Sequence, residues 1–186
     1  MNFHTGTARP LEPHEEALLE TVEEAARGVL AADAATLEVR WIRVKEDFPS
    51  WPWFGLRPRR EGALPIAVAH GGAWIDTALY LDEESVSFEL SAETEEEQLL
   101  LTAERIEAVI SGRAQVELRG RLMRPLFGLG RRRMAWEIVA IFETASGPSE
   151  TSRFSVDPSS WRDVFAASPA DEASGRIGPR SFAPYL

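Results

Sequence analysis

The stretch LPIAVAHGGAWIDTALYLDEESVSFEL, residues 64–90, contains three short apolar runs separated by turn residues. The first run is residues 66–70, Gly71-Gly72 marks the first turn, and residues 82–84 mark the second. The third run, SVSFEL, alternates polar and apolar side chains, which is typical of a strand with one buried face. Short strands joined by tight turns pair in antiparallel order. The stretch therefore predicts a three-stranded meander within an antiparallel sheet.

Two longer segments, one on each side of this meander, have helical periodicity. The first begins at Pro13, which suits the first position of a helix. The second begins with Thr94 and Glu97, the spacing of a capping box, and Gly112 follows its end. Apolar residues repeat along one side of each segment. The predicted buried stripes are Leu18, Val22, Ala25 and Val29 in the first helix and Leu99, Ala103, Ile106 and Ile110 in the second.

Further strands are predicted at residues 36–44, 114–122, 134–143 and 152–156; the first two alternate polar and apolar residues, and the third is apolar on both faces. Residues 46–63 contain several prolines, which remove ladder donors, so we expect an irregular loop there. The sequence therefore predicts the α+β class, with two long helices on one face of a mainly antiparallel sheet of about six or seven strands. A short C-terminal helix from Pro158 completes the predicted order α-β-β-β-β-α-β-β-β-α.

The predicted domain organisation is simple. Residues 1–12 form a loose N-terminus, residues 13–167 a single α+β domain, and residues 168–186, rich in Pro, Ser, Ala and Gly, an irregular tail. Two similar heptapeptides, FGLRPRR and FGLGRRR, each lie between predicted strands that follow a long helix. This similarity suggests two related halves, residues 13–90 and 94–156.

Composition restricts the possible chemistry. The chain has no cysteine, which excludes disulfides, thiolate metal sites and thiol nucleophiles. Its net charge of −10 argues against general nucleic-acid binding. No apolar run approaches the length of a membrane span, and no secretory signal precedes the first helix, so we expect a cytoplasmic protein without a membrane partner. Lys45 and Asn2 are the only Lys and Asn, which suggests a bacterium with a high-GC genome.

The motif HGGAW, residues 70–74, is similar to the oxyanion-hole loop of lipases and esterases with the α/β-hydrolase fold. That fold needs a Gly-x-Ser-x-Gly elbow and a later histidine. The chain has no such elbow, and its histidines are His4, His14 and His70. We therefore predict a hairpin turn at the two glycines and no hydrolase. No spacing of metal ligands, calcium loop or phosphate loop occurs either, so no metal or cofactor is predicted.

The two heptapeptides, residues 54–60 and 127–133, are the strongest candidates for a binding surface. Arg and aromatic residues are enriched at binding hot spots, and guanidinium groups suit carboxylates and phosphates. If the two loops lie at the same end of the sheet, they form one surface. Alternatively, the aromatic residues pack as core and the arginines pair with acidic residues of the same chain. The candidate residues are Trp51, Trp53, Phe54, Arg57, Arg59, Arg60, Phe127, Arg131, Arg132 and Arg133.

These features predict a non-catalytic, acidic binding or adaptor protein that recognises a protein or an anionic partner through the two Arg/aromatic loops. In element order and low pI the chain is similar to small secretion chaperones, and in acidity it is similar to toxin-neutralising immunity proteins, although it shares no motif with them. One alternative is a small enzyme with a carboxylate/Arg site in a sheet cleft, for example around Asp76 and Glu89. A second is a protein that binds single-stranded nucleic acid. The chain also has an acidic segment, residues 82–107, and an arginine-rich segment, residues 113–133, which suit a homodimer in which they meet across a two-fold axis.

Overall fold

The structure of the chain is a computed structural model that describes residues 4–43, 49–70, 74–81, 84–90, 92–123, 133–156, 165 and 175–186. The elements are, in chain order, β1 (His4–Thr5), α1 (Pro13–Ala31), β2 (Ala35–Arg43), β3 (Trp51–Pro58), β4 (Ile66–His70), β5 (Ile75–Leu81), β6 (Glu84–Leu90), α2 (Glu95–Ile110), β7 (Ala114–Met123), β8 (Arg133–Thr144), β9 (Gly147–Val156) and β10 (Arg176–Ser181). Two helices and antiparallel strands confirm the predicted α+β class. Over the described residues, no helix has both the length and the apolarity needed to cross a bilayer.

The chain divides into two units, which differ from the predicted halves. Unit 1 combines Met1–Arg113 with the last five residues, Phe182–Leu186, and unit 2 is Ala114–Ser181. Unit 1 holds both helices and a six-stranded sheet, and unit 2 holds a four-stranded sheet. The strands are therefore divided between two sheets rather than forming the predicted single sheet of six or seven. That residues 13–167 fold as one domain stays a prediction.

The sheet of unit 1 follows chain order, β1-β2-β3-β4-β5-β6, and its neighbouring strands are all antiparallel. The predicted meander is thus confirmed as β4, β5 and β6. His70 at the end of β4 pairs with Ile75 at the start of β5, so the HGGAW motif joins the strands of a hairpin. The glycines of that motif lie outside the described residues.

Strand β3 corrects the prediction of an irregular loop over residues 46–63. It lies inside the sheet between β2 and β4. Its prolines, Pro52 and Pro58, lie outside Trp53–Leu56, the part of β3 that pairs with β4. Their missing N–H groups therefore interrupt no pairing with β4, and the strand tolerates them.

Alternation along β3 gives the sheet two different faces. Phe54 and Leu56 point to one face and are almost completely buried. Because a helix buries its apolar stripe against an apolar surface, α1 and α2 pack on this side, in contact with each other and with the sheet. The buried residues of α1 include Leu18, Val22, Ala26 and Val29, close to the predicted stripe. Trp53, Gly55 and Arg57 point to the opposite face.

Unit 2 contains a strand where the sequence predicts an irregular tail. Its sheet has the order β10-β7-β8-β9. Residues Arg176–Ser181 form β10 at the edge, with a register shift between Ile177 and Arg180. The segment has only one large apolar residue, so it shows no alternation of polar and apolar side chains. Its Gly178 and Pro179 are residue types that favour turns over strands. An edge strand with a bulge tolerates both residues. The predicted short helix from Pro158 lies outside the described residues, apart from Phe165.

The last five residues are also ordered, because they return to unit 1. Tyr185 is buried, its hydroxyl donates to the Leu64 carbonyl oxygen at 2.7 Å, and its N–H donates to the Ile110 carbonyl oxygen at 2.8 Å. Ala183 N–H donates to the Gly62 carbonyl oxygen at 3.0 Å. These bonds attach the C-terminal segment to the end of α2 and to the chain between β3 and β4.

Candidate functional site

A cavity of about 380 Å³ opens on the face of the six-stranded sheet that carries Trp53. We call this cavity the cleft, and all of the residues that line it belong to unit 1. Its polar lining residues are Glu38, Arg40, Arg57 and Tyr80, and its remaining lining residues are Trp53, Gly55, Leu56, Pro65, Ile66 and Ala67. This volume lies at the small end of the range of about 300–1,000 Å³ found for small-molecule sites.

Small side chains create the cleft. Gly55 on β3 pairs with Ala67 on β4, and Ala67 pairs with Ala78 on β5, so three consecutive strands present almost no side chain at one level of the sheet. Trp53 lies beside them, is only 6% exposed, and packs in one cluster with Ala67 and Ala78. Larger residues at these positions would cover the sheet surface, and the concavity would disappear.

Three charged groups meet at the rim of the cleft. Arg40 donates from Nε and Nη2 to Glu38 Oε2, at 3.2 and 2.7 Å. Arg57 Nε lies 3.4 Å from the other oxygen, Glu38 Oε1. Each arginine side chain is 61% exposed, whereas Glu38 is 35% exposed. The carboxylate therefore holds two guanidinium groups that remain open to solvent.

Tyr80 adds a hydroxyl group to this rim. Burial raises the pKa of its phenol above the ordinary value, and the charge of Glu38 raises it further. Arg40 and Arg57 act in the opposite direction, as does the Trp53 side chain. The phenol thus stays protonated at neutral pH and can donate a hydrogen bond.

The candidate residues within and just before the first heptapeptide lie in several different places. Trp53 and Arg57 line the cleft, and Trp51 is half-buried against the same cluster. Phe54 lies on the helix-covered face. Arg59 and Arg60 lie after the end of β3, away from the cleft lining. Arg59 Nη2 is 2.7 Å from Asp33 Oδ1, and Arg60 Nη1 donates to the Leu186 carbonyl oxygen at 2.6 Å.

The structure describes only the last residue of the second heptapeptide. Phe127, Arg131 and Arg132 lie outside the described residues, and Arg133 is placed only as the first residue of β8. That the two loops form one surface therefore stays a prediction.

Sequence reasoning missed Glu38, Arg40 and Tyr80. Glu38 and Arg40 alternate with apolar residues on β2, a pattern that predicts a half-buried strand but no binding site. The available signal was the glycine inside the apolar β3 segment together with alternating alanines, Ala67 and Ala69, on β4. A glycine within a strand often marks a close approach or an open space.

The carboxylates proposed for an enzyme, Asp76 and Glu89, are direct cross-strand partners on β5 and β6. Asp76 also pairs with Ala69, which places both carboxylates on the face of the sheet that carries the cleft. Neither residue lines the cleft itself. Within the described residues, no group of three or more His, Asp or Glu side chains is arranged to hold a metal ion.

Unit 2 has a separate charged cluster. Glu117 is fully buried and accepts hydrogen bonds from Arg119 and, at 2.7 and 2.9 Å, from Arg176. Arg119 also donates to both oxygens of Glu150, at 2.6 and 3.0 Å. This network links residues of β7, β9 and β10 and pairs a buried carboxylate with two cations.

Comparisons with protein-family models, curated proteins and solved structures find no match to this chain. Its function is therefore argued from the residues of the cleft.

Proposed function

We propose that the protein is a non-catalytic binding protein that recognises an anionic ligand in the cleft. The observation that carries the proposal is the meeting of Arg40 and Arg57 with the single carboxylate Glu38 at the rim of this cavity. Two cationic groups against one anionic group leave an excess of positive charge where the cavity opens. This local excess occurs in a chain whose net charge is −10, so it distinguishes the cleft from the average surface.

The donors at the rim support an anion as the ligand. Within the part of the chain that the structure describes, Glu38 is the one ion-pair partner of Arg57, and the contact uses Nε. The two terminal nitrogens of Arg57 are thus available to a ligand, and a guanidinium group binds a carboxylate or phosphate through two parallel hydrogen bonds. The Tyr80 hydroxyl provides a further donor at the same rim.

The floor of the cleft supports binding of a small group rather than of an extended polymer. It is formed by Trp53, Gly55 and Ala67, and the cavity has a volume of about 380 Å³. Apolar floors with a few polar groups at the opening are typical of small-ligand sites. A binding role needs no further chemistry from these residues.

The test is a ¹H–¹⁵N NMR titration with three anions: acetate, benzoate and inorganic phosphate. We expect at least one of them to shift the Gly55 amide and Trp53 indole signals in the wild type. Arg57→Gln should lose this response. Arg59→Gln is the matched control, because it removes the same charge only two residues away, where the arginine pairs with Asp33. If none of the anions shifts these signals, or if both variants respond alike, the proposal is wrong.

A further inference from the structure

The charges and the floor of the cleft also restrict the class of ligand, provided that the proposed anion-binding function holds. We infer that the ligand is an organic monoanion, with one carboxylate at Arg57 and Tyr80 and a compact apolar body on the floor beside Trp53. The inference depends on three observations: the charge balance at the rim, the donors available there, and the small residues of the floor.

The charge balance favours one negative charge over two. Arg40 and Arg57 contribute two positive charges and Glu38 one negative charge, which leaves one positive charge for a ligand to neutralise. A phosphate dianion would bring a second negative charge close to the Glu38 carboxylate, and like charges at short range repel. A single carboxylate carries one negative charge, which neutralises the one excess positive charge at the rim.

The donors at the rim suit the planar shape of a carboxylate. Arg40 uses both Nε and Nη2 on Glu38, so it is already engaged, whereas Arg57 uses only Nε. The terminal nitrogens of Arg57 and the hydroxyl of Tyr80 are separate donors at the edge of one cavity. A carboxylate has two oxygens, each able to accept two hydrogen bonds, and can satisfy these donors together.

The floor adds selectivity for an apolar body. Gly55 and Ala67 contribute aliphatic surface, Pro65 also lines the cavity, and Trp53 packs in one cluster with Ala67. Burying apolar surface of the ligand there strengthens binding by about fourfold for each methylene group. Acetate reaches the rim donors but leaves the floor empty, so it should bind much more weakly than an acid with a ring.

Two cavity-filling variants probe the floor directly. A Cβ added at Gly55 would lie 3.7 Å from the Ala67 Cβ and 3.9 Å from the Glu38 carbonyl oxygen, which is ordinary van der Waals contact. Gly55→Ala should therefore fold normally while it reduces the floor. Ala67→Leu fills the floor more completely, and Gly55→Ala keeps the test valid if the larger change impairs folding.

The experiment measures dissociation constants for acetate, butyrate, benzoate, inorganic phosphate and phenyl phosphate by the same NMR titration. We expect benzoate to bind at least tenfold more tightly than acetate and than phenyl phosphate, and Gly55→Ala to weaken benzoate more than acetate. Equal affinities for acetate and benzoate, or tighter binding of either phosphate compound, would overturn this inference while anion binding stands. If none of these anions binds, the proposed function itself fails.

N-Acetylphenylalanine tests whether the carboxylate ligand is the C-terminus of a polypeptide or a free small acid. It carries a carboxylate and a ring, as a C-terminal phenylalanine does. If it binds more tightly than benzoate, the carboxylate-plus-apolar inference holds with a chain terminus as the source. If benzoate binds more tightly, the inference holds with a free small acid as the source.

Discussion

Arg57 and Glu38 are diagonal neighbours on strands β3 and β2, with Arg57 Nε 3.4 Å from Glu38 Oε1. Arg40, two residues along β2, engages the second oxygen of the same carboxylate. Exposed ion pairs of this kind contribute little to folding, typically below about 1 kcal/mol. We therefore expect substitutions in this group to change ligand binding and the ionisation of nearby Tyr80, and to change the free energy of unfolding only slightly.

Substitutions at the rim should shift the pKa of Tyr80 in opposite directions. Glu38→Gln removes a charge that raises this pKa and leaves the lowering effects of Arg40 and Arg57, so the pKa should fall. Arg57→Gln should raise it. The measurement is an ultraviolet titration of the phenol in a Tyr185→Phe background, because the chain has two tyrosines. Shifts in the same direction for both variants would contradict the described electrostatics.

The hydroxyl of Tyr185 should stabilise unit 1. It donates to the Leu64 carbonyl oxygen at 2.7 Å in a buried setting, so Tyr185→Phe should lower the free energy of unfolding by about 1 kcal/mol. Burial also raises the pKa of Tyr185 above its ordinary value of 10.0. The unfolded chain then loses this proton more readily, so stability is complete below pH 10.0 and declines above it. Tyr80→Phe is the control in urea unfolding at neutral pH and should have a smaller effect.

Gly112 should be intolerant of any side chain. Its φ is +69°, and a Cβ there would lie 2.9 Å from the Phe182 carbonyl oxygen and from Pro184 N. Gly112→Ala should therefore cost about 1–3 kcal/mol and loosen the C-terminal segment. Gly28→Ala is the control, since nothing lies within 4 Å of its Cβ position on α1, and it should stabilise by about 0.5–1 kcal/mol. Similar effects of the two changes in urea unfolding would refute the close approach at Gly112.

In unit 2, the buried carboxylate of Glu117 should contribute more to the free energy of unfolding than the exposed carboxylate of Glu150. Glu117 is 0% exposed and pairs with Arg119 and Arg176, whose side chains are 32% and 61% exposed, so Glu117→Ala removes their shared charged hydrogen bonds and should cost about 1.5–3 kcal/mol. Glu150 is 49% exposed and pairs with Arg119 at 2.6 Å, so Glu150→Ala should cost less than about 1 kcal/mol. Thermal unfolding of both variants tests the order, and an equal cost would contradict it.

His70 should make stability depend on pH in mildly acidic solution. Burial lowers the pKa of its imidazole below 6.5, as does His14, whose ring centroid is 4.3 Å away, whereas Glu95 and Glu15 oppose the shift. The unfolded chain then binds the proton more readily, so stability present above pH 6.5 is lost as the pH falls below it. Glu15 has its pKa lowered from 4.5, so its contribution is lost only at lower pH. His70→Gln should flatten the decline between pH 6.5 and 4.5, and an unchanged slope would exclude His70 as its cause.

Local patterns predicted several elements correctly because their causes are local. Pro13 opens α1, and Thr94 caps α2 by accepting a hydrogen bond from Glu97 N–H at 3.2 Å. The Glu97 side chain departs from the predicted box, since it accepts from Glu93 N–H at 3.1 Å. Short apolar runs separated by turn residues likewise located the strands of the meander.

The buried face of α2 was not predictable in the same way. Its buried residues include Gln98, Thr102 and Arg105, whereas Leu99 and Ala103 of the predicted stripe are only partly buried. Thr102 satisfies its hydroxyl by donating to the Gln98 carbonyl oxygen at 2.8 Å, and burial lowers the pKa of Arg105 to about 10. Which side of a helix is buried depends on what packs there, and polar residues with local partners can occupy that side.

Local sequence signals are sufficient to predict the α+β class, the start of both helices and the antiparallel meander, because helix caps, turns and hydrophobic periodicity act over a few residues. The position of β3 inside the sheet, and the meeting of Glu38, Arg40, Arg57 and Tyr80 at one cavity, depend on contacts between distant parts of the chain. These four side chains come from three strands, and strand register sets which of them face each other. The cleft exists because that register also aligns Gly55, Ala67 and Ala78 across the sheet.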